Sequence, residues 1–286
     1  GGCGCKRWSG ADMTTPGSTG NGILIIEDEE VLGKNMLQYL ERSGDLAGLP
    51  FKLHDFGARG VSSLESALVG GMAHLVNFQG TDTMSALLGA RTYYAEPMAG
   101  FSIPAAEHST ITAWGRDGEA DAYRNMLRRF AKSGSLVAVV SDSYDLDHAV
   151  NASWGGELKQ AVIDSGATVV TRPDSSEPTA IVLKTVQSLD AAYGSDVNAK
   201  GYKLLRHVRV IQGDGITRES IEGILAALER HGYSADNVAF GQGGALLQIV
   251  NRDSLRFAMK CSAVQIDGQW RDVFKDPVTD PGKRSK

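Results

Sequence analysis

Leu136-Val137-Ala138-Val139-Val140-Ser141-Asp142-Ser143 is the stretch that decides the fold. Five apolar residues, three of them valine, run unbroken into Ser-Asp-Ser. A short apolar run bounded by turn residues fits a strand buried on both faces, the kind found in parallel sheets. A helical pattern precedes it: Asp117 opens a segment in which Tyr123, Met126, Leu127 and Phe130 recur at helical spacing. The same rhythm extends in both directions. Short runs at Phe51–Phe56, His74–Phe78, Gly100–Ile103, Thr168–Arg172, His207–Gln212 and Asn237–Gly241 run into turn residues and are followed by helical patterns.

The helices carry start and stop marks. Asp28 to Arg42 reads as an acidic-started amphipathic helix, and Ser62 with Glu65 has capping-box spacing. Pro178 sits in the first turn of a helix with Ile181, Val182, Thr185, Val186 and Leu189 on one stripe, closed by Gly194. Thr217 opens another with Ile221, Ile224, Leu225 and Leu228, closed by Gly232. Seven strand–helix units in series predict an α/β fold with a parallel sheet, and that number favours a closed barrel. Phe257–Ile266 and Trp270–Phe274, joined through Asp267-Gly268, read as a β-hairpin outside it. The expected organisation is a flexible or foreign leader over 1–22, the barrel over 23–256, and the hairpin with a basic tail over 257–286 as part of an incomplete second domain.

Composition sets bounds. The chain has 286 residues, 42% hydrophobic and 22% charged, so a folded globular protein is expected. Its net charge is −5, which argues against general nucleic-acid binding. From Arg252 to Lys286, however, eight basic residues face five acidic ones. No apolar run approaches the roughly 18 residues that cross a bilayer, and no secretory signal is expected. Three cysteines, Cys3, Cys5 and Cys261, form no disulfide framework and no zinc spacing, so a reducing, cytoplasmic setting is expected.

The polar residues fall at the ends of the runs. They include His54-Asp55-Phe56-Gly57-Ala58-Arg59-Gly60, Gly80-Thr81-Asp82, Ser102 to Thr110, Ser141-Asp142-Ser143, Arg172-Pro173-Asp174, Gln212-Gly213-Asp214-Gly215 and Gly241-Gln242-Gly243-Gly244. In a parallel α/β fold these turns share the carboxyl face, where ligands bind. An Asp after a strand is more often a helix cap, and a Gly pair before a helix is as often tight packing as a phosphate cradle. Taken together they fit a phosphorylated sugar and an aromatic ring. Asp142, Asp174 and Asp214 can grip ribose hydroxyls or a hydrated Mg²⁺. Arg59, Arg172 and Arg252 can fork onto phosphates. Phe56 can stack on a ring, and His108 can titrate or accept a phosphoryl group. Lys260, Lys275 and Lys283 add charge for a polyanion.

These motifs resemble the nicotinamide phosphoribosyltransferase family. The resemblance is carried by Lys52 to Ser63, His74 to Thr83, Pro104-Ala105-Ala106-Glu107-His108-Ser109-Thr110, Ser141-Asp142-Ser143-Tyr144-Asp145, Arg172-Pro173-Asp174-Ser175, Gln212 to Gly215 and Phe274-Lys275-Asp276-Pro277-Val278. They are collinear from about Glu29 onward. The resemblance implies an irregular (β/α) barrel of the type II phosphoribosyltransferase kind and a second domain built from both chain ends. It also implies transfer of phosphoribose from phosphoribosyl pyrophosphate to nicotinamide, a requirement for Mg²⁺, ATP as a coupling substrate, and homodimers with active sites shared at the interface.

Carried over to this sequence, Phe56 stacks on nicotinamide, Asp82 takes its carboxamide, and Ser102 and Arg172 orient it. Asp174, Gly213 and Asp214 hold the ribose, with Asp174 placing Mg²⁺ through water. Gly243 and Gly244 offer N–H groups to the 5′-phosphate. Arg59, Arg252, Lys260, Lys275 and Lys283 match phosphate and pyrophosphate binders. His108, beside Asp142, matches the histidine phosphorylated from ATP. The chain departs from the family in lacking most of the N-terminal region, in stopping at Lys286, and in placing Ser176 where glycine is usual. A non-catalytic fragment that binds nucleotide and a nicotinate phosphoribosyltransferase are the alternative expectations.

Overall fold

The computed structural model describes residues 21–244 and 260–279, with side chains from residue 30 onward. Helix α1 (Asn21–Ser43) buries Leu32, Met36 and Leu40 at four-residue spacing. It leads through a 3₁₀ turn (Leu46–Phe51) to β1 (Leu53–Asp55), α2 (Leu64–Asn77), β2 (Gly80–Thr81) and α3 (Met84–Tyr94). Next come α4 (His108–Thr112), α5 (Glu119–Phe130), β3 (Leu136–Val140) and α6 (Leu146–His148). A π-helical segment (Ala149–Glu157) joins α6 to α7 (Lys159–Ser165), β4 (Thr168–Arg172) and α8 (Pro178–Tyr193). The hairpin β5 (Ser195–Val197) and β6 (Lys203–Leu205) precedes β7 (Val208–Gln212), α9 (Arg218–Arg230) and β8 (Val238–Gln242). The chain closes with β9 (Ala263–Ile266) and β10 (Gln269–Asp272).

Six strands form one parallel, curled sheet in the order β2-β1-β8-β7-β4-β3. Side chains alternate across it. One face carries Val137, Val139, Val169, Val208, Val210, Val238 and Phe240 into the main core under the helices. The other carries Ala138, Val170 and Ile211, packed with Phe56, Ile103 and Ala239. The register aligns the carboxyl ends: Asp55 lies opposite both Thr81 and Gln242, Gln212 opposite Phe240, and Val140 opposite Arg172. The turns after the strands therefore emerge side by side.

Two expected strands come out differently. His74–Phe78 is the last turn of α2 and its cap, and the strand is Gly80–Thr81. Nothing breaks the helix before Asn77, and its close-packed face of Ala67, Gly70, Gly71, Ala73 and His74 is buried. The Gly100–Ile103 strand is reduced to isolated bridges, because Pro104 has no N–H to extend a ladder. Its neighbourhood still bonds both sheet edges. Phe101 N donates to Gln79 O (2.7 Å) and Thr81 N to Phe101 O (3.0 Å). Ala106 N donates to Ala138 O and Ala138 N to Pro104 O, both at 2.9 Å.

Most of the helix marks hold. Glu177 caps α8 and Thr217 caps α9 with a reciprocal box. The cap of α2 is Ser63, accepting from Ser66 N, one residue beyond the predicted Ser62. Helix α1 starts seven residues ahead of Asp28. Among the described residues the β9–β10 hairpin forms a two-stranded sheet of its own and exposes Trp270, as expected of an element outside the main sheet.

Candidate active site at the carboxyl ends of the strands

Phe56 follows β1 and is tethered by its N–H to Gln242 O of β8 at 2.9 Å. Its ring lies across Gly241, where a Cβ would come within 1.9 Å of the ring. Glycine is thus required there for close approach. The His54 ring stands 4.8 Å from the Phe56 ring, centroid to centroid. The two rings are tilted by 42° to each other.

Asp82 follows β2, its N–H bonded to Asp55 O at 2.9 Å. Its carboxylate accepts from Ser102 Oγ at 2.5 Å and from His54 Nε2 at 3.2 Å. Burial works against ionisation, but these two bonds and the Arg172 charge hold Asp82 below the usual carboxylate range. Arg172, at the end of β4, is 6% exposed and donates from Nη1 to Glu107 Oε1 at 3.1 Å. Burial likewise opposes ionisation of Glu107, and Arg172 outweighs it.

Phe56, Ala58, Arg59, Asp82, Thr83, Glu107, Arg172, Asp174 and Gly213 line one cavity of about 300 Å³. Its wall holds two buried polar atoms with no hydrogen-bond partner, Thr83 Oγ1 and Arg172 Nε. Buried polar groups are ordinarily paired, so these two mark a site that a polar ligand or water completes. The cavity offers a ring slot, an anionic acceptor and two guanidinium groups.

A second cluster adjoins it. His108 Nε2 lies 2.9 Å from Asp142 Oδ1, and His108 Nδ1 lies 3.9 Å from Asp174 Oδ2. Lys275 Nζ stands 3.7 Å from Asp142 Oδ2. Asp142 is fully buried; despite that, the His108 bond and the Lys275 charge hold it far below the usual carboxylate range. An ionised Asp142 only accepts, so His108 Nε2 donates to it. Asp174 goes the other way: burial raises it above the usual range, against the pull of Arg172 and His108.

The expected site residues therefore sort by place. Phe56, Arg59, Asp82, Arg172, Asp174 and Gly213 share the cavity, and Ser102 reaches it through Asp82. Lys275 is buried against Asp142. Gly213 has Asp174 Oδ1 3.2 Å from where its Cβ would be, and the Asp214 carbonyl accepts from Gln212 Nε2 at 2.9 Å. Gly243 faces open space, whereas Gly244 packs on Gly60, its Cβ position 3.1 Å from Gly60 Cα. Lys260 is exposed at the start of the last described segment. Arg252 and Lys283 lie outside the described residues. Glu107, Thr83 and His54 were not singled out from sequence, although each sits inside a motif that was.

No group of three or more His, Cys, Asp or Glu side chains able to hold a metal occurs among the described residues. Mg²⁺ seldom needs one: it keeps its waters and binds through one or two carboxylates plus substrate phosphate. Asp174 lines the cavity, and burial raises its proton affinity against the pull of Arg172, His108 and Lys275. The residues fit a magnesium ion that arrives with a polyphosphate.

Comparison with known proteins agrees with this geometry. The nicotinate phosphoribosyltransferase (NAPRTase) family model matches residues 51–286. A nicotinamide phosphoribosyltransferase of Xanthomonas campestris pv. campestris is 63% identical over 250 residues, covering 87% of this chain and 53% of that protein. One from Acinetobacter baylyi is 34% identical over 87% of this chain and 53% of its own length. The chain spans about half the length of the curated relatives it matches. A Saccharomyces cerevisiae crystal structure described as a nicotinate phosphoribosyltransferase shares the fold, with a TM-score of 0.56, 14% identity, and coverage of 88% of this chain and 59% of that one.

Proposed function

The chain belongs to the nicotinate phosphoribosyltransferase family, and from that premise we propose that it transfers phosphoribose from phosphoribosyl pyrophosphate to nicotinamide, releasing pyrophosphate. The observation that carries the choice of acceptor is Asp82. Its carboxylate, held ionised by Ser102 and His54, faces the slot beside Phe56. A carboxylate accepts from an amide N–H₂ and repels the carboxylate of nicotinate. The name borne by the 63%-identical relative supports the same choice.

In this reading Phe56 stacks on the pyridine, while Arg172 and Ser102 fix its rotation. The ring nitrogen attacks ribose C1 as pyrophosphate departs, and positive charge develops on the sugar. The pyridine nitrogen has no proton to lose, so no side chain acts as base. The protein's contribution is position and electrostatics. Asp174 and Asp214 take ribose hydroxyls, and Arg59, Arg252, Lys260 and Lys283 take phosphate oxygens. Gly243 offers its N–H to the 5′-phosphate, and Gly244 supports that loop against Gly60. When bound, Mg²⁺ at Asp174 neutralises charge on the leaving pyrophosphate.

His108 is the site of ATP coupling in this account. Asp142 stays ionised and accepts a hydrogen bond from Nε2–H, which leaves Nδ1 to attack the γ-phosphorus of ATP as the bond to ADP breaks and ADP departs. Lys275 offsets the added charge. The segment 101–106 closes the curled sheet into an irregular type II barrel, and residues 257–286 contribute to a second domain. A homodimer is the proposed assembly. Leu64, Val76, Met84, Leu88, Tyr93, Tyr94 and Met98 on and after α2 and α3 are all more than 60% exposed, and a partner would cover them.

The test is binding selectivity. Titrating the chain with nicotinamide and with nicotinate, Asp82→Asn is expected to narrow the preference for nicotinamide by about tenfold or more, the worth of one charge-assisted bond plus a lost repulsion. An unchanged preference contradicts the assignment.

A further inference from the structure

Asp55 is fully buried and is not among the residues lining the candidate cavity. Its polar groups are shared between two turns. Its carboxylate Oδ1 accepts from Gly57 N at 2.7 Å, within the turn that carries Phe56. Its Oδ2 accepts from Thr81 Oγ1 at 3.4 Å. Thr81 Oγ1 in turn accepts from Thr83 N at 3.0 Å. The Asp55 carbonyl accepts from Asp82 N at 2.9 Å. The chain of bonds thus runs from the turn after β1, through one buried carboxylate, to both sides of Asp82.

A second observation comes from the opposite side. Gly71 of α2 backs this network: a Cβ there would stand 2.6 Å from Ala86 Cβ, 3.0 Å from Thr83 Cγ2 and 3.4 Å from Asp55 Oδ2. The helix is pressed onto the clamp with no slack. A buried carboxylate is costly, and one fully engaged with donors from two separate turns fixes their separation.

We propose that Asp55 is a positioning residue that locks the Phe56 turn to the Asp82 turn and so sets the distance between ring wall and amide acceptor. The proposal rests on the nicotinamide reading for its functional consequence, but the clamp itself does not. Thr83, whose buried Oγ1 lacks a partner, is held by the same chain of bonds and presents a further polar contact beside Asp82.

The test uses the full chain with Asp55→Ala, Asp55→Asn and Gly71→Ala. Asn keeps an acceptor for Gly57 N and offers an N–H to Thr81 Oγ1, so it should rescue. Amide hydrogen exchange is measured first, without ligand. Asp55→Ala is expected to speed exchange both at residues 56–60 and at 81–84, Asp55→Asn at neither, and Gly71→Ala mainly at 81–84. Acceleration confined to 56–60 overturns the clamp. Nicotinamide affinity is measured second, and Asp55→Ala should weaken it about tenfold with Asp55→Asn close to wild type. Faster exchange in both turns with unchanged affinity overturns the link from clamp to slot. Absence of nicotinamide binding by the wild-type chain contradicts the functional reading instead, while exchange still decides the clamp.

Discussion

Ser176 has φ +77°, in the left-handed region that side chains other than glycine occupy at a cost. It follows the Arg172-Pro173-Asp174-Ser175 run, so the strain falls next to the site. Ser176→Gly is expected to stabilise the fold by up to about 1 kcal/mol in urea unfolding, and a loss of stability would show that the seryl side chain contributes more than its backbone costs. At the same scale, His108→Ala should abolish any stimulation of turnover by ATP while leaving nicotinamide binding intact, since His108 contacts Asp142 and Asp174 but does not line the ring slot. Retained ATP stimulation would remove His108 from that role. The shared placement of Phe56, Asp82, Arg172 and Asp174 was legible in the sequence because turns after parallel strands share a face. Asp82 and Ser102, twenty residues apart, do meet. Long-range partnerships were not legible. Lys275 reads as one more basic tail residue, and only folding carries it into a buried contact with Asp142.

At the scale of elements, α5 shows how a helix start bears on the site. Glu119 in its first turn is 5% exposed, and burial, with Asp142 and Asp145 adding to it, raises it to about 7 against the pull of Tyr123 and Arg116. The folded chain therefore holds this proton from pH 4.5 up to about 7, where the unfolded chain has released it. Its contribution to stability is complete below about 4.5 and is lost as pH rises through 7. Relative to Glu119→Gln, the wild type should lose up to about 3 kcal/mol over that interval, followed by thermal unfolding at stepped pH. Parallel pH profiles for the two proteins would contradict the assignment. The cap of α9 gives a plainer expectation: Thr217→Ala removes the bond to Ser220 N and should cost about 1 kcal/mol in the same assay. Caps and stripes of α8 and α9 were readable because they are local. The β2 strand was not, since two residues give no periodicity, and the β5–β6 hairpin was missed because Ser195–Val197 is largely exposed and lacks an apolar run.

At the scale of the molecule, parallel order and the shared carboxyl face followed from the alternation of strand and helix patterns. The strand order followed from neither periodicity nor spacing. The first strand lies between β2 and β8, and its register of Leu53 with Phe240 is a long-range pairing that sequence pattern does not encode. The last described segment shows the same dependence on distance. Asp276 N donates to Ser143 O (3.2 Å), Val278 N to Tyr144 O (2.7 Å), and Arg116 pairs with Asp276 (3.4 Å), so residues 275–279 are laced over the turn that holds Asp142. The histidine cluster thereby draws Lys275 from the far end of the described chain. The most direct measurement of the central claim is product formation from labelled nicotinamide, phosphoribosyl pyrophosphate and Mg²⁺, with nicotinate in parallel. The account predicts labelled nicotinamide mononucleotide and little product from nicotinate. A folded chain that forms no mononucleotide, or that prefers nicotinate, would contradict it.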